Sequence, residues 1–104
     1  MNPIRKVNFA LRLLAQGQTS EAAELSAQLL QESPEVAEVH ALACELASVQ
    51  ERGQDALDHI ERSIQLEPGR SDFRLRKAGV QLVLRHGQAA QATAVELAAL
   101  RPDD

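Results

Sequence analysis

The sequence predicts an all-α fold of three stacked helix-turn-helix units, six helices in all. Three observations predict it. The apolar residues, 44% of the chain, are mostly Ala and Leu, with two Phe and neither Tyr nor Trp. Ala and Leu lead the helix-propensity ranking, whereas the β-branched and aromatic side chains that favour strands are scarce. Landmarks recur at one offset: Pro34, Pro68 and Pro102 are 34 residues apart, as are Ala22, Ala56 and Ala90, and Leu30, Ile64 and Ala98. A fixed period of this size marks supersecondary units that stack. Finally, apolar residues recur at three- and four-residue steps, as in Val36, Val39, Leu42, Leu46 and Val49, the pattern of a one-sided helix.

Each unit reads as a helix, a turn at Gly-Gln, a second helix and a turn marked by proline. The predicted helices lie near 3–16, 20–32, 34–51, 55–66, 71–85 and 88–100. Gly17, Gly53 and Gly87 stand where a left-handed residue would close the first helix of each pair. Gly17-Gln18 comes two residues early against the other two Gly-Gln pairs, so one loop is expected to differ in length. Ser33-Pro34-Glu35 has the chemistry of a helix start: a hydroxyl cap, a proline at the first position, a carboxylate at the positive end of the dipole. Ser71-Asp72 repeats it after Pro68-Gly69. No single pair can bury its apolar face, and three stacked pairs make one continuous core. The repeats span roughly 3–34, 35–69 and 70–104 of a single domain over 1–104.

Composition excludes several functions. A net charge of −4 argues against general nucleic-acid or anionic-membrane binding, and two Phe offer few stacking platforms for single-stranded RNA. Cys44 is the one cysteine, so neither an internal disulfide nor a zinc framework is expected. His40 and Cys44, four apart on one helix, are too few for a metal site, and no cofactor is expected. The apolar run near the N-terminus is interrupted by Asn8 and Arg12 and leads to no small-residue cleavage site. No stretch reaches the length of a membrane span, which leaves a reducing cytoplasm as the default location. Phosphate-loop, nucleophile and HExxH motifs are missing, so the chain is expected not to be an enzyme. Asp55, Asp58 and His59 sit at a helix start, where carboxylates serve the dipole, and His86 reads as a helix C-terminal cation.

A period of 34 with small-residue and proline landmarks resembles the tetratricopeptide repeat. The segment QDALDHIERSIQLEPGR, residues 54–70, carries the strongest likeness. Ala56 falls on the family's small position early in the second helix, Ile60 on its large position, Ser63 on its second small position and Pro68 on its closing proline. Phe9, Ala10, Leu13, Gly17, Ala22 and Pro34 match in the first repeat. Leu75, Ala78, Gly79, Leu82, Ala90 and Pro102 match in the third, with one inserted residue. The chain departs from the pattern in having no Trp or Tyr, in registers that slip between first helices, and in showing no polar capping helix after the third repeat.

The resemblance implies a right-handed α–α superhelix and a protein-interaction scaffold whose first helices line a groove. With Gly17 as the landmark, Ile4, Val7, Leu11 and Leu14 face that groove, an apolar stripe suited to an amphipathic helix or peptide. His40, Cys44 and Ser48, then Phe73, Arg76, Lys77 and Val80, continue it. Some relatives grip a partner's C-terminal carboxylate with Lys and Asn; Val7 and Leu11 stand at those positions here. The stripe also admits a plain reading, in which a one-residue register shift makes it core. Between Arg12 and Arg52 there is no Lys or Arg, while Arg70 to Arg85 holds five basic residues and one acid, Asp72. The basic segment would suit an acidic peptide or a second copy of the chain; solvated helix faces are the simpler account. The expectation is therefore a protein or peptide partner, acidic or amphipathic, with no nucleic acid and no membrane. The alternatives are a self-associating adaptor pairing through uncapped faces as a homo-oligomer, and the N-terminal recruiting module of a larger bacterial transferase.

Overall fold

The computed structural model describes residues 2–84, 93 and 95–98. Five helices are described from end to end: α1 (Pro3–Ala15), α2 (Thr19–Glu32), α3 (Ala37–Val49), α4 (Gly53–Leu66) and α5 (Ser71–Val83). Thr93 and residues 95–98 are helical too. The rest of the predicted sixth helix lies outside the described residues, with His86, Gly87, Ala90 and Pro102. There is no strand among the described residues.

The repeat is stricter in the backbone than in the sequence. Helices α1, α3 and α5 begin at 3, 37 and 71 and end at 15, 49 and 83; α2 and α4 begin at 19 and 53 and end at 32 and 66. Every step is 34 residues. Neither a slip between first helices nor an inserted residue in the third repeat occurs through Val83. The expected difference in loop length also vanishes. Gly17 closes α1 with φ 81°, and the residue 34 later that does the same is Glu51, with φ 59°. Around Gly17, the Gln18 N–H donates to the Leu13 carbonyl and the Gly17 N–H to that of Leu14; around Glu51, Arg52 and Glu51 donate likewise to Ala47 and Ser48. This is a Schellman closure at both ends. The Gly-Gln dipeptide moved, not the loop. Gly53 is instead the first residue of α4, where an added Cβ would crowd the end of the Leu84 side chain.

Helix starts also differ from expectation. Asn2, preceding Pro3, caps α1 by accepting from the Ile4 N–H at 2.8 Å, an N-cap signal that sequence reading passed over. Ser33 is the C-cap of α2, Pro34 and Glu35 form a turn, and Val36 stands before α3. A carbonyl of that turn is in use: His40 Nε2 donates to the Pro34 carbonyl at 2.7 Å. At the equivalent station Arg74 donates to the Pro68 carbonyl.

Two apolar clusters run through the stack. The first joins Val7, Ala10 and Leu13 of α1, Ala22 and Leu29 of α2, and Val39, Leu42 and Leu46 of α3. The second joins Ala37, Cys44 and Ala47 of α3, Ala56, Leu57 and Ile60 of α4, and Phe73 and Val80 of α5. Each cluster spans one whole pair and the next first helix, so burial couples neighbours only. Leu29, Leu42 and Ile60 are fully buried, each contributing about 1.5–3 kcal/mol. Ser63 lets α4 approach α3 closely, and its hydroxyl donates to the Ala37 carbonyl at 2.9 Å.

Candidate binding groove

Stepping 34 residues from the α1 stripe defines one face of the molecule. Ile4 leads to Glu38 and Asp72, Val7 to Ala41 and Leu75, Leu11 to Glu45 and Gly79, Leu14 to Ser48 and Leu82. Two adjoining clefts run along this face. One, about 190 Å³, lies where Val7 and Leu11 of α1, Ala41 and Glu45 of α3, and Phe73 and Arg76 of α5 converge. The other, about 840 Å³, opens between the end of α3, the start of α4 and α5, with Leu75, Gly79, Val80 and Val83 along one side. Glu45, Asp72 and Arg76 line both. The two are one trough, crossed by the ion pair of Arg76 with Glu45.

The predicted groove residues divide into three groups. Ile4 and Leu11 are partly exposed, Leu11 at 39%, and Leu14 is half-buried. Val7, Phe73 and Val80 are buried in the apolar clusters, yet each also lines a cleft; Arg76 lines both. His40, Cys44 and Lys77 line neither cleft. The His40 ring packs 5.8 Å from that of His59 on α4. Cys44 is fully buried among Ala56, Ile60 and Phe73. Lys77 pairs with Glu61 of α4 at 3.7 Å. The α3 residues on the trough are Glu38, Ala41, Leu42 and Glu45, together with Ser48, which was expected there from the sequence. One residue of slip turns a side chain about 100° around a helix, enough to exchange groove for core. The missing signal was the period itself, which carries the α1 stripe onto these positions directly.

Charges on this face are mostly answered internally. Arg70 reaches Glu38 at 3.0 Å, Glu67 at 3.4 Å and Asp72 at 2.9 Å, and its guanidinium lies 4.2 Å over the Phe73 ring. Hydrogen bonding to Arg70 holds the Asp72 carboxyl below its ordinary range, and the same bonds raise the affinity of Arg70 for its proton. Arg74 pairs with Glu96. Two cations of the basic segment, Arg70 and Arg76, thus meet carboxylates of α3, Glu38 and Glu45. Burial pushes the Cys44 thiol up and the His59 imidazolium down. Among the described residues, no three His, Cys, Asp or Glu side chains are grouped to hold a metal ion, and no helix is long and apolar enough to cross a membrane.

No protein-family model matches the sequence, and no curated protein matches it. Solved structures do match the fold. A mutant O-GlcNAc transferase of Thermobaculum terrenum superposes with a TM-score of 0.85 at 18% identity, over 97% of this chain and 19% of that one. The second TPR of Spaghetti (RPAP3), bound to the HSP90 peptide SRMEEVD, gives 0.82 at 14% identity, over 94% and 91%. A mutant of MamA gives 0.77 at 14% identity, over 100% and 60%. The chain therefore spans about a fifth of the transferase and three-fifths of the MamA chain. These likenesses establish the fold, a tetratricopeptide-like right-handed superhelix of helix pairs.

Proposed function

We propose that the chain is a non-catalytic protein-interaction scaffold holding an amphipathic helix or peptide along the face of α1, α3 and α5. One observation carries this reading: equivalent positions of three successive first helices line a single trough with apolar side chains left partly open, Leu11 at one end and Leu75 and Val83 at the other. A surface of this shape suits an i, i+3, i+4 apolar ridge. The peptide-bound RPAP3 domain, matched over 91% of its length, lends the reading support from fold. A domain over 1–104, whether a stand-alone adaptor or the recruiting module of a larger transferase, belongs to the same proposal.

Leu11→Asp tests it. Because Leu11 is 39% exposed, the change should leave helicity and melting near wild type, within about 0.5 kcal/mol. Binding of a peptide selected on the wild-type protein from a random library should be lost. A folded variant that still binds that peptide would reject the trough as the site.

A second reading, self-association, rests on the two ends of the stack. Arg5, Asn8 and Arg12 are all exposed and occupy the stations filled by buried Val39, Leu42 and Leu46 in the next repeat. These three polar side chains surround Phe9, itself 46% exposed, at the first end. At the third repeat Leu75 is 61% and Leu82 63% exposed, whereas Val7 at the station of Leu75 is 4% exposed.

A further inference from the structure

We propose that the wide cleft of the third repeat takes a segment whose apolar anchor is flanked by basic side chains; this rests on the scaffold reading and names its partner class. The apolar half of the argument is the cleft wall, Leu75, Val80, Val83 and Leu84. The cleft is open because Gly79 stands where Leu11 and Glu45 stand in the first two repeats. A Cβ built on Gly79 would meet nothing within 4 Å, so an incoming side chain meets no obstruction there.

The charged half is the rim. Among the described residues three carboxylates line the cleft, Glu45, Glu51 and Asp72, with one guanidinium, that of Arg76. Arg76 is engaged by Glu45. Asp72 is answered by Arg70, which also serves Glu38 and Glu67 and so is one cation among three acids. Glu51 forms no ion pair among the described residues. It follows directly on the end of α3 at Val49, whose last carbonyls carry the negative end of the helix dipole. Among the described residues of the rim, carboxylates outnumber cations beside an apolar seat. Complementarity then favours Lys or Arg beside the anchor and opposes Asp or Glu. The polarity is opposite to the acidic partner that the run from Arg70 to Arg85 suggests in the sequence, because its four described cations, Arg70, Arg74, Arg76 and Lys77, pair with Glu38, Glu96, Glu45 and Glu61.

The test uses two labelled 18-residue amphipathic peptides with the same Leu ridge, one with Lys and one with Glu on the polar face, read by fluorescence anisotropy. The Lys peptide should bind the 104-residue chain about tenfold more tightly, with the advantage shrinking as salt rises. Glu51→Lys should weaken it about three- to fivefold, and Leu75→Ser should weaken both peptides. Glu24→Lys, the same charge change on an exposed part of α2, should leave the affinity unchanged. If the Glu peptide binds equally well, the charge assignment falls and the scaffold reading stands. If neither peptide binds, both fall. A Glu24→Lys effect equal to that of Glu51→Lys, or no effect of Leu75→Ser, would reduce the binding to bulk charge and overturn the cleft as its seat.

Discussion

Glu51 holds a left-handed backbone with φ 59°, where a Cβ crowds its own carbonyl at a cost of about 1–2 kcal/mol. Gly17 fills the same station without that cost. The two residues make a matched pair for measurement. Glu51→Gly should raise stability by about 1 kcal/mol and Gly17→Ala should lower it by a similar amount, both read as urea midpoints at constant m. Equal and opposite shifts would confirm that the two turns are one structure; no gain from Glu51→Gly would mean that other contacts of the glutamate offset the strain. The pair also shows what sequence reading could and could not reach. A glycine in a turn is a sound marker for a left-handed residue, and at Gly17 it identified one. Gly53 instead begins α4 beside the Leu84 side chain, and the left-handed residue two positions earlier, Glu51, carries no sign of itself. The groove on α3 was hidden in the same way: Ala41 and Glu45 look no more like groove residues than His40 and Cys44 until the 34-residue step is applied.

At the scale of elements, the start of α3 carries a carbonyl–imidazole contact beside a second histidine. The His40 Nε2–H is donated to Pro34, its buried Nδ1 has no partner among the described residues, and the His59 ring of α4 lies 5.8 Å away. Burial and the neighbouring His40 both lower the pKa of His59, against weaker opposition from Asp55 and Asp58; Arg52 adds to the lowering. The unfolded chain therefore takes up a proton at His59 before the folded one does. The stability this gives is whole above the ordinary histidine pKa of 6.5 and is lost as pH falls below it. Melting temperature should drop between pH 7.5 and 5.5, and His59→Gln should flatten that drop; an unchanged slope would acquit the pair. Helix positions were readable because apolar spacing and proline both report on them, and α5 begins at Ser71 as expected. The start of α3 was misplaced by three residues because Ser-Pro-Glu fits a helix start and an inter-helix turn equally well. The choice was settled by a carbonyl–imidazole contact between residues six apart.

At the scale of the whole molecule, burial couples each pair only to the next. The first end is polar at Arg5, Asn8 and Arg12, and the third repeat leaves Leu75 and Leu82 open. If self-association through that face occurs, light scattering should give a mass that rises toward the dimer between about 10 and 300 μM, spanning ordinary weak-dimer affinities. Leu82→Glu should hold the chain monomeric, and a wild-type monomer throughout would discard the second reading. Three-unit architecture was legible from Pro and Ala landmarks alone, since stacking demands small residues where helices approach. The charge pairing was not, because a run of cations says nothing of the carboxylates that will fold onto it.

Val36 and Arg70, the residues before α3 and α5, have backbone angles of −93°, 117° and −83°, 108°. The chain thus passes two interchangeable splice points one unit apart. Its length is quantised: copying or excising the block between them would lengthen or shorten the superhelix by one hairpin with no connection redrawn, while an insertion of any other size must be swallowed within a single turn.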